Sequence, residues 1–182
     1  MKSPGQKSPS RDDWASAYAR QGLSDWQIYR HLAGEAEVAS CHSLHYLQMA
    51  CEKIAKAYRW RDTQASAESL TSEHVAFSKF MQSYLLSPSI RRDYRGRSEQ
   101  LQQLKRLCRK LAREVEKLAP SVDREQTPEN AEYPWSYGDK VIAPCDYSYP
   151  SLHLLTSPGG RTFLKLLARA FSDYESVDQS SA

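Results

Sequence analysis

Apolar residues recur every three or four positions in several stretches of this chain, most clearly across residues 43–61. The apolar stripe in this stretch is Leu44, Leu47, Cys51, Ile54 and Tyr58. Beside it runs a second row at similar spacing, the polar strip, which consists of His45, Gln48, Glu52 and Lys56. Positions three or four residues apart lie on one side of an α-helix. The pattern therefore predicts a helix with one buried stripe and polar side chains next to it.

The residues before this helix predict two shorter helices. Ser10 is placed to cap a helix that ends at Gly22, and residues 24–27 form a capping-box pattern for another. Gly34 either ends this second helix or interrupts it before the long helix, which we expect to begin near Glu35 and to run to about Arg61.

Three more helices are expected after the long one, at residues 72–86, 98–118 and 161–174, each with an apolar stripe. Pro88 and Gly96 bracket a short turn before the second of them. Residues 119–150 contain five prolines, which exclude a long helix. This segment is also rich in Tyr and Trp, which favours an ordered loop packed against the helices, briefly extended at 140–143.

The composition agrees with an all-α antiparallel helical bundle. The chain has 182 residues, 40% of them apolar, and only seven glycines. This length suits one domain, predicted to span residues 11–175. The polar ends, residues 1–10 and 176–182, are predicted to be disordered tails.

Positive charge is concentrated in one part of the chain. Residues 91–113 contain nine basic side chains and two acidic ones, although the net charge of the whole chain is only +3. This is either the solvated face of a bundle helix or a face that contacts phosphates. The candidate nucleic-acid-binding residues are Arg91, Arg92, Arg95, Arg97, Arg106 and Arg109.

The long helix also carries a family resemblance. Residues 50–57 read Ala-Cys-Glu-Lys-Ile-Ala-Lys-Ala and follow Tyr46-Leu-Gln48, which resembles the signature helix of HEPN-domain proteins. Two shorter stretches, 72–74 (Ser-Glu-His) and 130–134 (Asn-Ala-Glu-Tyr-Pro), are similar to other parts of the family, so the resemblance covers roughly residues 36–175. It implies an antiparallel helical bundle, usually dimeric. Members include ribonucleases of toxin and defence systems and inactive partners of small nucleotidyltransferases.

The chain departs from the family in its catalytic motif. The active members share an Arg followed by a His four to six residues later, and no Arg in this sequence has a His at that distance. The family's catalytic pair is therefore carried over to no position. An acid–base pair could still form from His45 and Glu52 with Gln48 between them, whereas the alternative is a polar strip satisfied at a helix or dimer seam.

These observations predict a HEPN-like interaction module without catalytic activity, in a nucleic-acid-related or defence and toxin–antitoxin system. The alternative is an RNA-binding protein, or a divergent metal-independent endoribonuclease, that uses the basic 91–113 face. The expected partners are a second copy of the chain, a nucleotidyltransferase-type protein, or RNA.

No cofactor or metal site is expected. His42 and His45 could share a metal ion but have no evident third ligand. The four cysteines form no Cys-x-x-Cys pair and are interpreted as reduced, small apolar residues of a cytoplasmic protein. No apolar run approaches the roughly 20 residues of a membrane span.

Overall fold

The structure, a computed structural model, describes residues 8–62, 76–119 and 124–179. Six α-helices lie in these ranges: α1 Arg11–Leu32, α2 Ser40–Arg61, α3 Phe77–Tyr84, α4 Pro88–Asp93, α5 Ser98–Glu116 and α6 Pro158–Gln179. The hairpin strands β1 Trp135–Tyr137 and β2 Lys140–Ile142 and the 3-10 helices Pro144–Asp146 and Pro150–Thr156 lie between α5 and α6. The predicted all-α helical bundle is confirmed.

Contacts between helix ends show which neighbours are antiparallel. At the start of α1, the Arg11 side chain donates to the Trp60 carbonyl oxygen at the end of α2, at 3.1 Å. At the start of α3, the Ser78 backbone N–H donates to Glu116 at the end of α5, at 2.8 Å. None of the helices in the described ranges is long and apolar enough to cross a membrane.

The prediction that a helix ends at Gly22 is wrong, and so is the proposed cap at Ser24, because α1 continues unbroken to Leu32. Ser10 caps this helix as predicted, in a capping box with Asp13. Gly22 instead allows α1 to approach α2 closely. A Cβ atom at this position would lie 3.1 Å from the Lys53 Cβ and 3.2 Å from the Phe171 ring.

Helix α2 forms the centre of the bundle. It begins at Ser40 rather than near residue 35, and it ends at Arg61 as predicted. Its stripe residues Leu44, Leu47, Cys51 and Ile54 are buried, which confirms the predicted inward side. Tyr58 is half-buried, and its hydroxyl donates to the Ala170 carbonyl oxygen of α6 at 2.9 Å.

The later helices keep most of their predicted positions. The stripe of α3 is buried, as is that of α5 apart from half-buried Leu101. The first residues of the predicted 72–86 helix, including His74, lie outside the described residues. Helix α6 begins three residues earlier and ends five residues later than predicted, so the tail expected from residue 176 is helical to Gln179. Residues 1–7 and 180–182 of the predicted tails lie outside the described ranges.

The described part of the Pro- and Tyr-rich segment, residues 124–150, packs on the bundle, as predicted. The strands pair antiparallel, with Trp135 opposite Ile142, which confirms the brief extended stretch. The buried Trp135 ring meets the Tyr147 ring edge-on at 5.2 Å, and the Tyr149 hydroxyl donates to the Asn130 carbonyl oxygen at 2.7 Å. The Asn130 side-chain oxygen accepts from the backbone N–H groups of residues 132 and 133, which fixes the turn before the hairpin.

Candidate functional site

The polar strip on α2 forms a connected chain of three side chains. The Gln48 amide donates to Glu52 at 3.0 Å, and the Lys56 ammonium lies 2.9 Å from the other Glu52 oxygen. Gln48 and Lys56 are buried, at 3% and 5% exposure. Among the described residues, the half-buried Glu52 carboxylate is thus neutralised by the Lys56 ammonium and accepts a hydrogen bond from the Gln48 amide.

His45, the fourth residue of the strip, does not join this chain. Its Nδ1 lies 3.3 Å from the Glu132 carboxylate of the loop before β1. The predicted link from Gln48 to Glu52 is present, but the acid–base pair of His45 and Glu52 is not assembled. Sequence reasoning missed Glu132, although this residue lies within the 130–134 stretch of the family resemblance.

The surroundings of the strip are those of a seam between helices. A small enclosed space is lined by Gln48, Cys51 and Glu52 of α2 together with Phe77 of α3 and Val115 and Glu116 of α5. On the other side of α2, Lys53 pairs with buried Asp25 of α1 at 2.6 Å. One charged contact ties α2 to α1, and the other satisfies two groups of α2 itself.

The six candidate arginines differ from the strip because all of them are exposed. Arg91 and Arg92 lie on α4, Arg95 and Arg97 in the turn that follows, and Arg106 and Arg109 on α5. These six residues are called the cationic surface below. In the described ranges, no acidic side chain forms a salt bridge with any of them. On α5, Arg106 and Arg109 lie opposite the buried stripe of Leu104, Cys108 and Leu111.

The structure adds a cationic row on α6 that the sequence reasoning missed. Arg161, Lys165 and Arg169 are four residues apart and therefore share one side of the helix. Arg169 forms an ion pair with Asp93 of α4, so one of the two acidic residues of the 91–113 segment is already neutralised. The four-residue spacing of these cations is visible in the sequence. Their position next to α4 is not, because it depends on the contact of Arg169 with Asp93, which lies 76 residues earlier in the chain.

The described residues give little support for a metal-binding site or for a reactive thiol. They contain no group of three or more His, Cys, Asp or Glu side chains that could hold a metal ion. All four cysteines are free thiols, and Cys41, Cys51 and Cys108 are buried. Burial raises the pKa of the Cys108 thiol to about 12, and burial with the nearby Glu116 carboxylate raises the pKa of Cys51 well above its usual value. These two thiols therefore stay protonated and unreactive near neutral pH.

Comparison of the chain with protein-family models, with characterised proteins and with solved structures finds no significant match. The family resemblance therefore rests on the sequence motifs alone.

Proposed function

We propose that this chain is a HEPN-like helical module that acts by binding rather than by catalysis, and that its cationic surface binds the phosphate backbone of RNA. The observation that carries the proposal is the exposure of six arginines on α4, α5 and the turn between them, with no acidic side chain of the described ranges bonded to them. Exposed arginines on one surface neutralise phosphates and release counterions, which drives binding independently of sequence.

The non-catalytic part of the proposal is supported by the polar strip. Acid–base chemistry at an RNA 2′-hydroxyl needs two titratable groups that reach the same substrate atoms. His45 is directed to Glu132, whereas Glu52 is held between Gln48 and Lys56. RNA incubated with the protein is expected to be recovered intact, and cleavage at a rate proportional to protein concentration would contradict this part.

The binding part is tested with two matched double variants. Arg106→Glu with Arg109→Glu changes the charge of the cationic surface by four units. Arg20→Glu with Lys140→Glu makes the same change at exposed positions on α1 and the hairpin. Fluorescence anisotropy with a labelled RNA of about 20 nucleotides at about 50 mM salt would measure the affinities.

We expect the first variant to bind RNA about 100-fold more weakly than the second, because only the first places carboxylates where phosphates dock. Equal loss in both variants would mean that overall charge controls binding, and it would overturn the assignment of the surface. Absence of RNA binding by the unaltered protein would overturn the proposed function itself.

A protein partner is the second candidate, and the exposed hairpin favours it. Tyr133, Tyr137 and Val141 are 65%, 69% and 77% exposed, which is unusual for large apolar side chains. With the family resemblance, this supports a homodimer or a complex with a nucleotidyltransferase-type protein. Light scattering tests the dimer, and a strict monomer at micromolar concentration would contradict it. A pull-down with and without nuclease would separate protein partners from RNA-bridged ones.

A further inference from the structure

A groove of about 460 Å³ lies between the end of α1 and the first half of α6. The buried Trp26 and Tyr29 side chains, 6% and 7% exposed, lie beneath it, and their rings stack on each other at a centroid distance of 5.2 Å. Leu164 and Ala168 of α6 form one wall. The volume falls in the range of sites that hold small organic molecules, about 300–1,000 Å³. The groove is thus large enough for one planar aromatic group.

Two exposed cations stand at the rim of this apolar groove, Arg30 of α1 and Lys165 of α6. Lys165 is the middle member of the α6 row, and Arg169, one turn later, is bonded to Asp93 of α4. The row therefore leads from the groove to the helix that carries Arg91 and Arg92. A chain of phosphates bound on the cationic surface could continue along α6 to the groove.

We propose that the groove receives an unpaired base of single-stranded RNA while the adjacent phosphates contact Lys165 and Arg30. This inference rests on the proposed function and adds the kind of RNA that is bound. A base is flat and apolar on its faces and is attached to a negatively charged backbone, which matches an apolar groove with cationic rims. The bases of a duplex are stacked inside the helix and cannot enter.

An acidic peptide would also suit an apolar groove with cationic rims. The connection to the cationic surface favours RNA. The cations of the α6 row continue from the groove toward α4, so a chain of phosphates can be contacted beyond the groove as well as at its rim. An acidic peptide that does not displace RNA from the protein would agree with RNA as the occupant of the groove.

The test compares two bulky substitutions on the same helix. Ala168→Trp fills the groove without changing charge, whereas Ser172→Trp places the same side chain one turn later, at an exposed position outside the groove lining. Affinities for an unstructured single strand and for a duplex of the same length are measured for each variant. Circular dichroism and thermal melting confirm that both variants fold.

We expect Ala168→Trp to lower single-strand affinity about tenfold and to leave duplex affinity within about twofold, because only the single strand loses the contact of one base with the groove. Ser172→Trp should leave both affinities unchanged. If Ala168→Trp leaves single-strand affinity unchanged while the protein still binds RNA, the groove assignment fails and the proposed function stands. If the unaltered protein binds neither RNA, both fail together.

A second measurement uses the unaltered protein and so does not depend on the folding of a variant. A single strand that contains 4-thiouridine is crosslinked by ultraviolet light, and the modified peptides are identified by mass spectrometry. Crosslinks in residues 26–34 and 161–169 are expected. Crosslinks confined to residues 91–113 would overturn the groove assignment and would still agree with the proposed function.

Discussion

The polar strip of α2 and the cationic surface of α4 and α5 are both rich in charge, but their surroundings differ. In the strip, Lys56 and Glu52 are bonded to each other inside the bundle. On the surface, arginines such as Arg106 and Arg109 extend into solvent without an acidic partner in the described ranges. Charges that satisfy each other stabilise a fold, whereas unpaired exposed charges of one sign are available to a ligand. The family resemblance and the amphipathic pattern both point to the polar strip, but the cationic surface is the region that is accessible to a ligand.

The largest expected effect is on stability and comes from the strip. Lys56→Ala would remove the cation bonded to the Glu52 carboxylate, whose side chain is 15% exposed, and should lower the free energy of unfolding by about 2 kcal/mol. Urea denaturation would measure this loss, and RNA affinity should not change. The double variant Glu52→Gln with Lys56→Met removes both charges and should recover most of the stability. A loss of RNA affinity in Lys56→Ala, with the fold intact, would mean that the polar strip also contributes to RNA binding and would contradict the separation of the two regions.

An intermediate effect is expected where α6 meets the cationic surface. Asp93→Asn removes one of the two carboxylates paired with Arg169, leaving Asp173 at 3.7 Å, and should raise RNA affinity about twofold, in line with the 0.2–1 kcal/mol of an exposed charge pair. Arg169→Gln should lower RNA affinity by a similar factor. Anisotropy titrations at low salt would measure both, and changes in the same direction would argue against electrostatic control at this position.

The smallest effect is expected at His45. Its contact with Glu132 is partly exposed, so His45→Ala should reduce the free energy of unfolding by less than about 1 kcal/mol. RNA affinity should remain unchanged. Thermal melting and anisotropy would show this, and a large loss of RNA binding would return His45 to the list of candidate functional residues.

Local sequence patterns were sufficient to predict much of the fold. The stripe from Leu44 to Ile54 is visible because helical burial repeats every three or four residues, and the link from Gln48 to Glu52 follows from the same spacing. Gly22 could not be interpreted locally, because its role depends on Lys53 and Phe171, which lie far away in the sequence. A glycine that ends a helix and one that lets two helices approach look the same in sequence.

The site was only partly predictable for the same reason. The exposure of Arg106 and Arg109 follows from their position opposite the α5 stripe. The contacts of His45 with Glu132 and of Asp93 with Arg169 depend on how distant segments pack. The groove at Trp26 and Tyr29 combines the end of α1 with α6. Both aromatic residues are buried in the core, and the space above them depends on how α6 packs beside α1.

The salt dependence of RNA binding tests the central claim most directly. If the cationic surface neutralises about four phosphates, the logarithm of the binding constant for a single strand should fall with the logarithm of salt concentration at a slope of about −3. The variant Arg106→Glu with Arg109→Glu should show a clearly shallower slope, whereas Lys56→Met with Glu52→Gln should keep the slope of the unaltered protein. Binding that does not vary with salt, or the same slope in all three proteins, would contradict the account.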